Sequence, residues 1–319
     1  MIIISHKTAF LFWRRYAGSR AMLQRSRRSR AMTEPLRLTA DLRAELAAFG
    51  ITPQEGNHLD VLVSAGNLRS TAQAIRSHVC SSALPSGSLL HLSSRILIAS
   101  PELTFLHLAE EMPLGKLIMA GCELCGTYAL ESVPTDPNQR LPQRQPLTFA
   151  MALAAFAESV RRLHGRSRAQ RAVAYVFDNA ASPMEAKLSL LLCLPHQLGG
   201  RNLPRPLLNA EIPLRDTARR LYPHRVCRAD LYWEHANLDV EYDGDYHEGG
   251  QAHANGIARA AALQSQDITV LPVTYAQIAD PTAFALIAEA ISRKVGRTLR
   301  IRRRDFTARE AELRAQLRL

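Results

Sequence analysis

Between Arg228 and Asp243 four carboxylates, Asp230, Asp239, Glu241 and Asp243, fall on alternating positions of two strand-like runs around Glu234 to Asn237. If those four central residues form the loop of a hairpin, Trp233 faces Leu238 and Tyr232 faces Asp239. Asp230 then stands opposite Glu241, and Arg228 opposite Asp243. The other side of the ribbon is apolar: Ala229, Leu231 and Trp233 against Leu238, Val240 and Tyr242. Opposed carboxylates cost about 0.2–1 kcal/mol on an exposed sheet. In a cleft the repulsion at about 4 Å rises to about 4 kcal/mol at an effective dielectric of 20. A divalent cation would remove that cost, and Mg²⁺ favours one or two carboxylates together with water and phosphate oxygens. The competing reading is a solvated face on which the acids sit in water.

The elements around this ribbon are set by spacing. Ser182-Pro-Met-Glu185 has the form of a capping box that opens a helix, with Leu188, Leu191 and Leu192 turned inward. Capping by itself accounts for Glu185. A strand is expected near Leu207 to Ile212, and a helix over Gln251 to Gln266 with Ile257, Ala261 and the start of Leu263's face buried and Arg259 outward. Ile268 to Val273 reads as a central buried strand, and Pro281 to Val295 as the closing helix. A hairpin followed by a helical crossover predicts a mixed β-sheet flanked by helices, an α/β fold.

Asp230, ten intervening residues, then Glu241-Tyr-Asp243-Gly with His247 following resembles the acidic hairpin of the PD-(D/E)xK nuclease superfamily. The form "R-x-D … E-x-D-G-x-x-H" is similar to its Vsr-like branch, and the resemblance runs from Ser182 to about residue 296. It implies a restriction-endonuclease-like fold. It further implies Asp230 and Glu241 as ligands of Mg²⁺ or Mn²⁺, Glu185 as the supporting acid, and hydrolysis of DNA phosphodiesters. Asp243 stands where the superfamily usually has Lys, which leaves His247 to move the proton and Arg228 to fix Asp243. Arg259 is placed to meet phosphate. The alternative function is a non-catalytic DNA-binding or antitoxin-like regulator that keeps the fold. A third reading is an interaction protein whose acids are only solvated. Glu241→Ala is expected to leave metal-free stability unchanged or slightly raised.

The N-terminal half reads as an α+β region. Ser5 to Arg14 and Thr39 to Phe49 are expected helices, the second with Leu42 and Leu46 inward and Gly50 at its end. Leu59 to Ser64 and Ala74 to Val79 are expected strands or short elements, and Arg95 to Ala99 an expected short strand. Ser100-Pro101 opens a further helix, and Leu114 to Tyr128 continues it as a second. From His78 through Leu84-Pro85 and Ser100-Pro-Glu102 to Cys125 this segment is similar to the central region of AbiE-type antitoxin-like proteins. That resemblance adds a partner toxin, or a second copy of the chain, to DNA as the implied partners. Four prolines between residues 131 and 147 mark a linker. The expected organisation is 1–75 (helical and basic), 76–147 (antitoxin-like α+β region with the linker), 148–181 (helical connector) and 182–319 (nuclease-like, with a basic tail).

Charge is unevenly placed. The chain carries a formal +11, yet Lys7, Arg14, Arg15, Arg20, Arg25, Arg27, Arg28 and Arg30 face only Glu34 within the first 35 residues. Residues 293–304 add seven cations, Arg302, Arg303 and Arg304 among them, with no acid. These two segments carry the whole excess, which suits contact with a phosphate backbone. Arg25 to Arg30 reads as a mobile basic segment. Five scattered cysteines, no signal-peptide pattern and no apolar run of about 18 residues point to a reducing cytoplasm without a membrane span. The Cys122-x-x-Cys125 pair suits helix packing, because a structural zinc site needs four ligands.

Overall fold

Runs of isoleucine and leucine seed the first sheet. The computed structural model describes residues 1–130, 136, 141–160, 162–243 and 250–319. The chain divides into two units, one of Met1–Val133 with Pro142–Val176, the other of Phe177–Leu319 with Pro134–Leu141. In the first, Ile2–Ile4 (β1) is followed by helices His6–Arg15 (α1) and Ala40–Ala48 (α2). Strands Leu59–Val63 (β2), Ile75–Val79 (β3), Leu89–His91 (β4) and Ile96–Ala99 (β5) come next. Helices Pro101–Glu111 (α3), Leu114–Cys125 (α4), Ala150–Ser159 (α5) and Arg166–Val173 (α6) complete this unit.

The sheet order is β3-β2-β1-β5-β4. β1 runs parallel to β5 and antiparallel to β2. Three β-branched residues, Ile2, Ile3 and Ile4, are buried at the sheet centre, because β-branching suits a pleated, covered surface. One sheet therefore crosses the division expected at 75/76. Residues 148–176 belong to the first unit rather than to a separate connector. Ser100 caps α3 by accepting from the Leu103 N–H, with Pro101 in the first turn, as its sequence predicts. Cys122 and Cys125 are buried on α4.

The basic segment at Arg25 to Arg30 is a correction. The Ser26 N–H donates to the Leu89 carbonyl at 2.9 Å, and Arg25 bridges to Leu90. The segment is thus laid along β4. Backbone hydrogen bonding overrides the charge run, because Ser26 can be buried while its neighbours stay in solvent.

The second unit begins with Pro183–Cys193 (α7), Leu207–Pro213 (β6), Asp216–Leu221 (α8), Val226–Trp233 (β7) and Leu238–Asp243 (β8). Gly250–Gln264 (α9), Thr269–Thr274 (β9), Tyr275–Ala279 (α10), Pro281–Lys294 (α11) and Phe306–Leu317 (α12) follow. The sheet order is β6-β7-β8-β9, antiparallel except for the parallel β8–β9 pair. Both units are thus α/β, each a mixed sheet with helices. No described helix is long and apolar enough to cross a membrane.

Three details differ from expectation. β9 is an edge strand and only partly buried, not central. Its Pro272 lacks an N–H, which suits an edge. On α9, Leu263 is buried as expected, together with Ala262, while Ile257 is exposed and Ala261 half-buried, so the inward face is rotated from the predicted one. The last helix is α12, not α11. Its Glu310 and Arg314 are buried, and Glu310 pairs with both Arg201 at 2.8 Å and Arg314 at 3.2 Å. Gly199 (φ +87°) lies so close to the Arg309 carbonyl that a Cβ would run into that backbone.

Candidate functional site

The hairpin register is the predicted one where the ladder is closed. Trp233 pairs with Leu238, Tyr232 with Asp239 and Leu231 with Val240. Beyond Val240 the strands part company in side-chain terms. Asp230 turns its carboxylate onto β8 and accepts from the Tyr242 N–H at 2.9 Å. On the other flank, Leu208 pairs with Leu231 and Ala210 with Ala229, which brings Asn209 level with Asp230. Asn209 is left-handed (φ +50°), a conformation that Asn tolerates better than other side-chain-bearing residues. Its amide reaches the Glu185 carboxylate at 2.5 Å and the Asn179 carbonyl at 3.0 Å.

Glu185 arrives from α7. Ser182 caps that helix by accepting from the Glu185 N–H at 3.2 Å. The Glu185 carboxylate takes the Ala181 N–H at 2.8 Å, one residue before the cap, so the box closes onto the residue preceding Ser182. Glu185 is buried. Burial raises its pKa, and the bonds from Ala181, Asn209 and Ser182 only partly offset this.

Carboxylates from α7 and β8 thus act on Asp230 of β7. Asp230 is raised well above the usual carboxylate range, by burial first and then by the charges of Glu241 and Glu185. Glu241 is pushed above the usual carboxylate range by burial and by Asp239, while the ion pair with Arg259 pulls the other way and favours its charged form. Asp239 rises to about 6, mainly through burial. The solvated-face reading is therefore overturned for Asp239 and Glu241, which are buried at 0% and 7% exposure. Neither Asp239 oxygen, nor Glu241 Oε1, has a hydrogen-bond partner among the described residues.

The cation in this cluster is Arg259, not Arg228. Arg259 on α9 pairs with Glu241 and donates to the Arg228 carbonyl at 3.3 Å. Arg228 reaches sideways to Glu211 on β6, at 3.0 Å. The reason is the twist of the pairing: Glu211 lies directly across from Arg228, while Asp243 pairs with Thr274 on β9 and is exposed. Arg228 therefore does not fix Asp243. His247 lies outside the described residues. Arg302 and Arg304 are exposed, and Arg303 pairs with Asp305 at 2.9 Å.

Sequence reasoning missed Asn209 and the inward face of Arg259. An Asn inside an otherwise apolar strand run was the available signal for the first. For the second, Arg259 lies four residues before Leu263, on the same side of a helix.

The residues suit a hard divalent cation in donor type, since all are carboxylate oxygens and several lack partners. Among the described residues, however, no group of three or more His, Cys, Asp or Glu side chains is gathered tightly enough to hold a metal ion. No family model, no curated protein and no solved structure matches the chain.

Proposed function

We propose that the second unit is a metal-dependent endonuclease-like domain that hydrolyses DNA phosphodiester bonds. The observation that carries this reading is that burial raises the pKa of Glu185, Asp230 and Glu241 alike, with the charges of Glu241 and Glu185 both acting on Asp230. Burying carboxylates together destabilises a fold unless a positive charge compensates them. The element order α7-β6-α8-β7-β8-α9-β9 keeps, apart from the short α8, the helix, three strands, helix and strand expected from the resemblance.

Asp230 and Glu241 would hold Mg²⁺ or Mn²⁺, with Glu185 supporting them. When bound, the ion supplies charge that polarises a phosphoryl oxygen and lowers the pKa of water. The chain's own residues do the rest. Asn209 and the Ala181 N–H aim Glu185 at the cluster. The Tyr242 N–H holds Asp230 Oδ2, which orients its other oxygen. Arg259 compensates Glu241 and limits repulsion before substrate arrives. His247 remains the assigned proton carrier. The five cysteines, none of them in a described disulfide, suit a reducing compartment, and we place the protein in the cytoplasm.

A second reading has its own observation. Arg259 already neutralises Glu241, and Asp243 stands where a catalytic Lys is usual. Both features suit a non-catalytic DNA-binding regulator on the same fold. The deciding experiment incubates the protein with supercoiled, linear and single-stranded DNA, with Mg²⁺ or Mn²⁺, beside Glu241→Ala. Metal-dependent cleavage that disappears in the variant establishes the enzyme. Salt-sensitive binding without cleavage, shared by the variant, establishes the regulator.

A further inference from the structure

In the first unit most paired arginines have a dedicated acid. Arg14 meets Glu123 at 2.7 Å, Arg20 meets Glu102 at 2.5 Å, Arg76 meets Glu111 at 2.7 Å and Arg95 meets Glu45 at 2.5 Å. Arg25, Arg27 and Arg30 break this pattern. All three are exposed and make no ion pair with any described residue. They sit close together on a segment whose backbone is fixed. The Ser26 N–H donates to Leu89, the His91 N–H to Gln24 at 2.9 Å and the Leu84 N–H to Ser29 at 2.6 Å. The Arg28 guanidinium turns back on the chain and donates to the carbonyls of Arg30 at 2.8 Å and Ala31 at 3.0 Å. Ser26 is buried while Arg25 and Arg27 on either side of it are exposed, about 6.7 Å apart if the chain between them is extended.

We propose that Gln24–Arg30 is a grip for the phosphate backbone of a nucleic acid, separate from the carboxylate cluster. The proposal rests on the nucleic-acid reading above but not on cleavage. Charge complementarity identifies the occupant, since three unneutralised guanidiniums in a row need a polyanion with repeated charges. Arginine also matches phosphate geometry through paired N–H donors. The hydrogen bonds to β4 order the segment beforehand, so binding does not bear that entropy. The surface continues into a cleft of about 340 Å³ lined by Arg28, Arg37, Arg95 and Glu34, of which Arg37 is exposed and without an ion pair among the described residues.

The test is anisotropy of a labelled duplex, and of one of its strands, titrated with full-length protein in chelator over a range of salt. Wild type is compared with the triple variant Arg25→Gln, Arg27→Gln, Arg30→Gln and with Arg300→Gln, Arg302→Gln, Arg304→Gln. Three lost phosphate contacts should flatten the slope of log Kobs against log[salt] by about 2.7 for duplex, and by about 2.1 for a single strand. Both variants are exposed changes, and thermal melts confirm that each is folded. Slopes unchanged in the first triple variant, or lost only in the second, overturn the proposal, as does a protein that binds neither nucleic acid. Metal-dependent cleavage is assayed apart. Its absence beside intact, slope-sensitive binding would reject the nuclease and leave the grip standing.

Discussion

Arg259 on α9 is ion-paired with Glu241 on β8, so the helix after the hairpin supplies the charge that the hairpin itself lacks. Glu241 is buried, and Arg259 is about a third exposed. Removing one partner of a buried pair costs about 3–5 kcal/mol, and the partial exposure of Arg259 lowers that here to about 2 kcal/mol. Arg259→Met should therefore destabilise the metal-free protein by about that amount in urea melts. Mg²⁺ should restore part of the loss, because a second cation can then serve Glu241. No Mg²⁺ effect in either protein would remove the metal from the proposal.

The companion variant is Glu241→Gln. The amide still accepts from Arg259, while its repulsion with Asp230 and Asp239 is gone. Metal-free stability should be unchanged or higher by about 1 kcal/mol, and metal-induced stabilisation should vanish. A loss of several kcal/mol would mean that the charged pair, rather than the relief of repulsion, dominates this face.

Asn209 offers a separable test of the Glu185 position. Asn209→Gly keeps the left-handed backbone but removes both side-chain donations. It should cost about 1–3 kcal/mol, the penalty for an under-satisfied buried acid. Asn209→Ala should cost about 1–2 kcal/mol more, because a Cβ disfavours that backbone region. Equal losses in the two variants would show that the amide matters and the backbone does not.

The hairpin register was legible because period-two alternation and a four-residue loop leave one pairing that buries Ala229, Leu231, Trp233, Leu238 and Val240 together. Helix starts at Ser100-Pro101 and Ser182-Pro183 were legible for a local reason, capping. What failed was long-range. β1 is three residues long, and nothing nearby in the sequence says that it lies between β2 and β5. The chain from Arg25 to Arg30 reads as solvated by charge alone, since its β4 partner lies more than fifty residues away. Arg259 reads outward on a helix wheel, yet Glu241 draws it inward. α12 was hidden by the arginines before it, and its burial depends on Arg201, a residue distant in sequence.

That last contact leads to a stability prediction. Glu310 lies between Arg201 and Arg314, and all three are buried. Glu310→Ala leaves two buried guanidiniums uncompensated and should cost about 3–5 kcal/mol. Glu310→Gln retains an acceptor and should cost less. A small loss for Glu310→Ala, read by urea melts, would show that α12 contributes little to the second unit.

The first unit carries a pH response of its own. His6 stacks on His78 with ring centroids 3.4 Å apart, and on His107 at 4.1 Å. His78 Nε2 lies 2.8 Å from Asp60 Oδ1, and the Thr8 hydroxyl donates to Asp60 Oδ2 at 3.0 Å. Burial, then the neighbouring imidazole His78, lowers His107 from 6.5 to about 3. His6 is lowered further still, by burial first and by His107 and His78 after it. The unfolded chain therefore takes up protons below pH 6.5 that the folded chain refuses. Stability is full above about pH 6.5 and falls as pH drops toward 3, by about 1.4 kcal/mol per pH unit for each buried imidazole. Asp60 acts in the same direction at the acid end. Burial raises its pKa, but the bonds from His78 and Thr8 bring it below 3.8, so it too loses stabilisation on protonation. His107→Phe keeps a ring against His6 and removes one titrating group, along with an Nδ1 that has no hydrogen-bond partner among the described residues. Urea melts between pH 7 and pH 4 should show the acid limb of the variant shallower by about 1.4 kcal/mol per pH unit. An unchanged slope would show that His107 is protonated in the folded protein and that the stack opens in acid without loss of the fold.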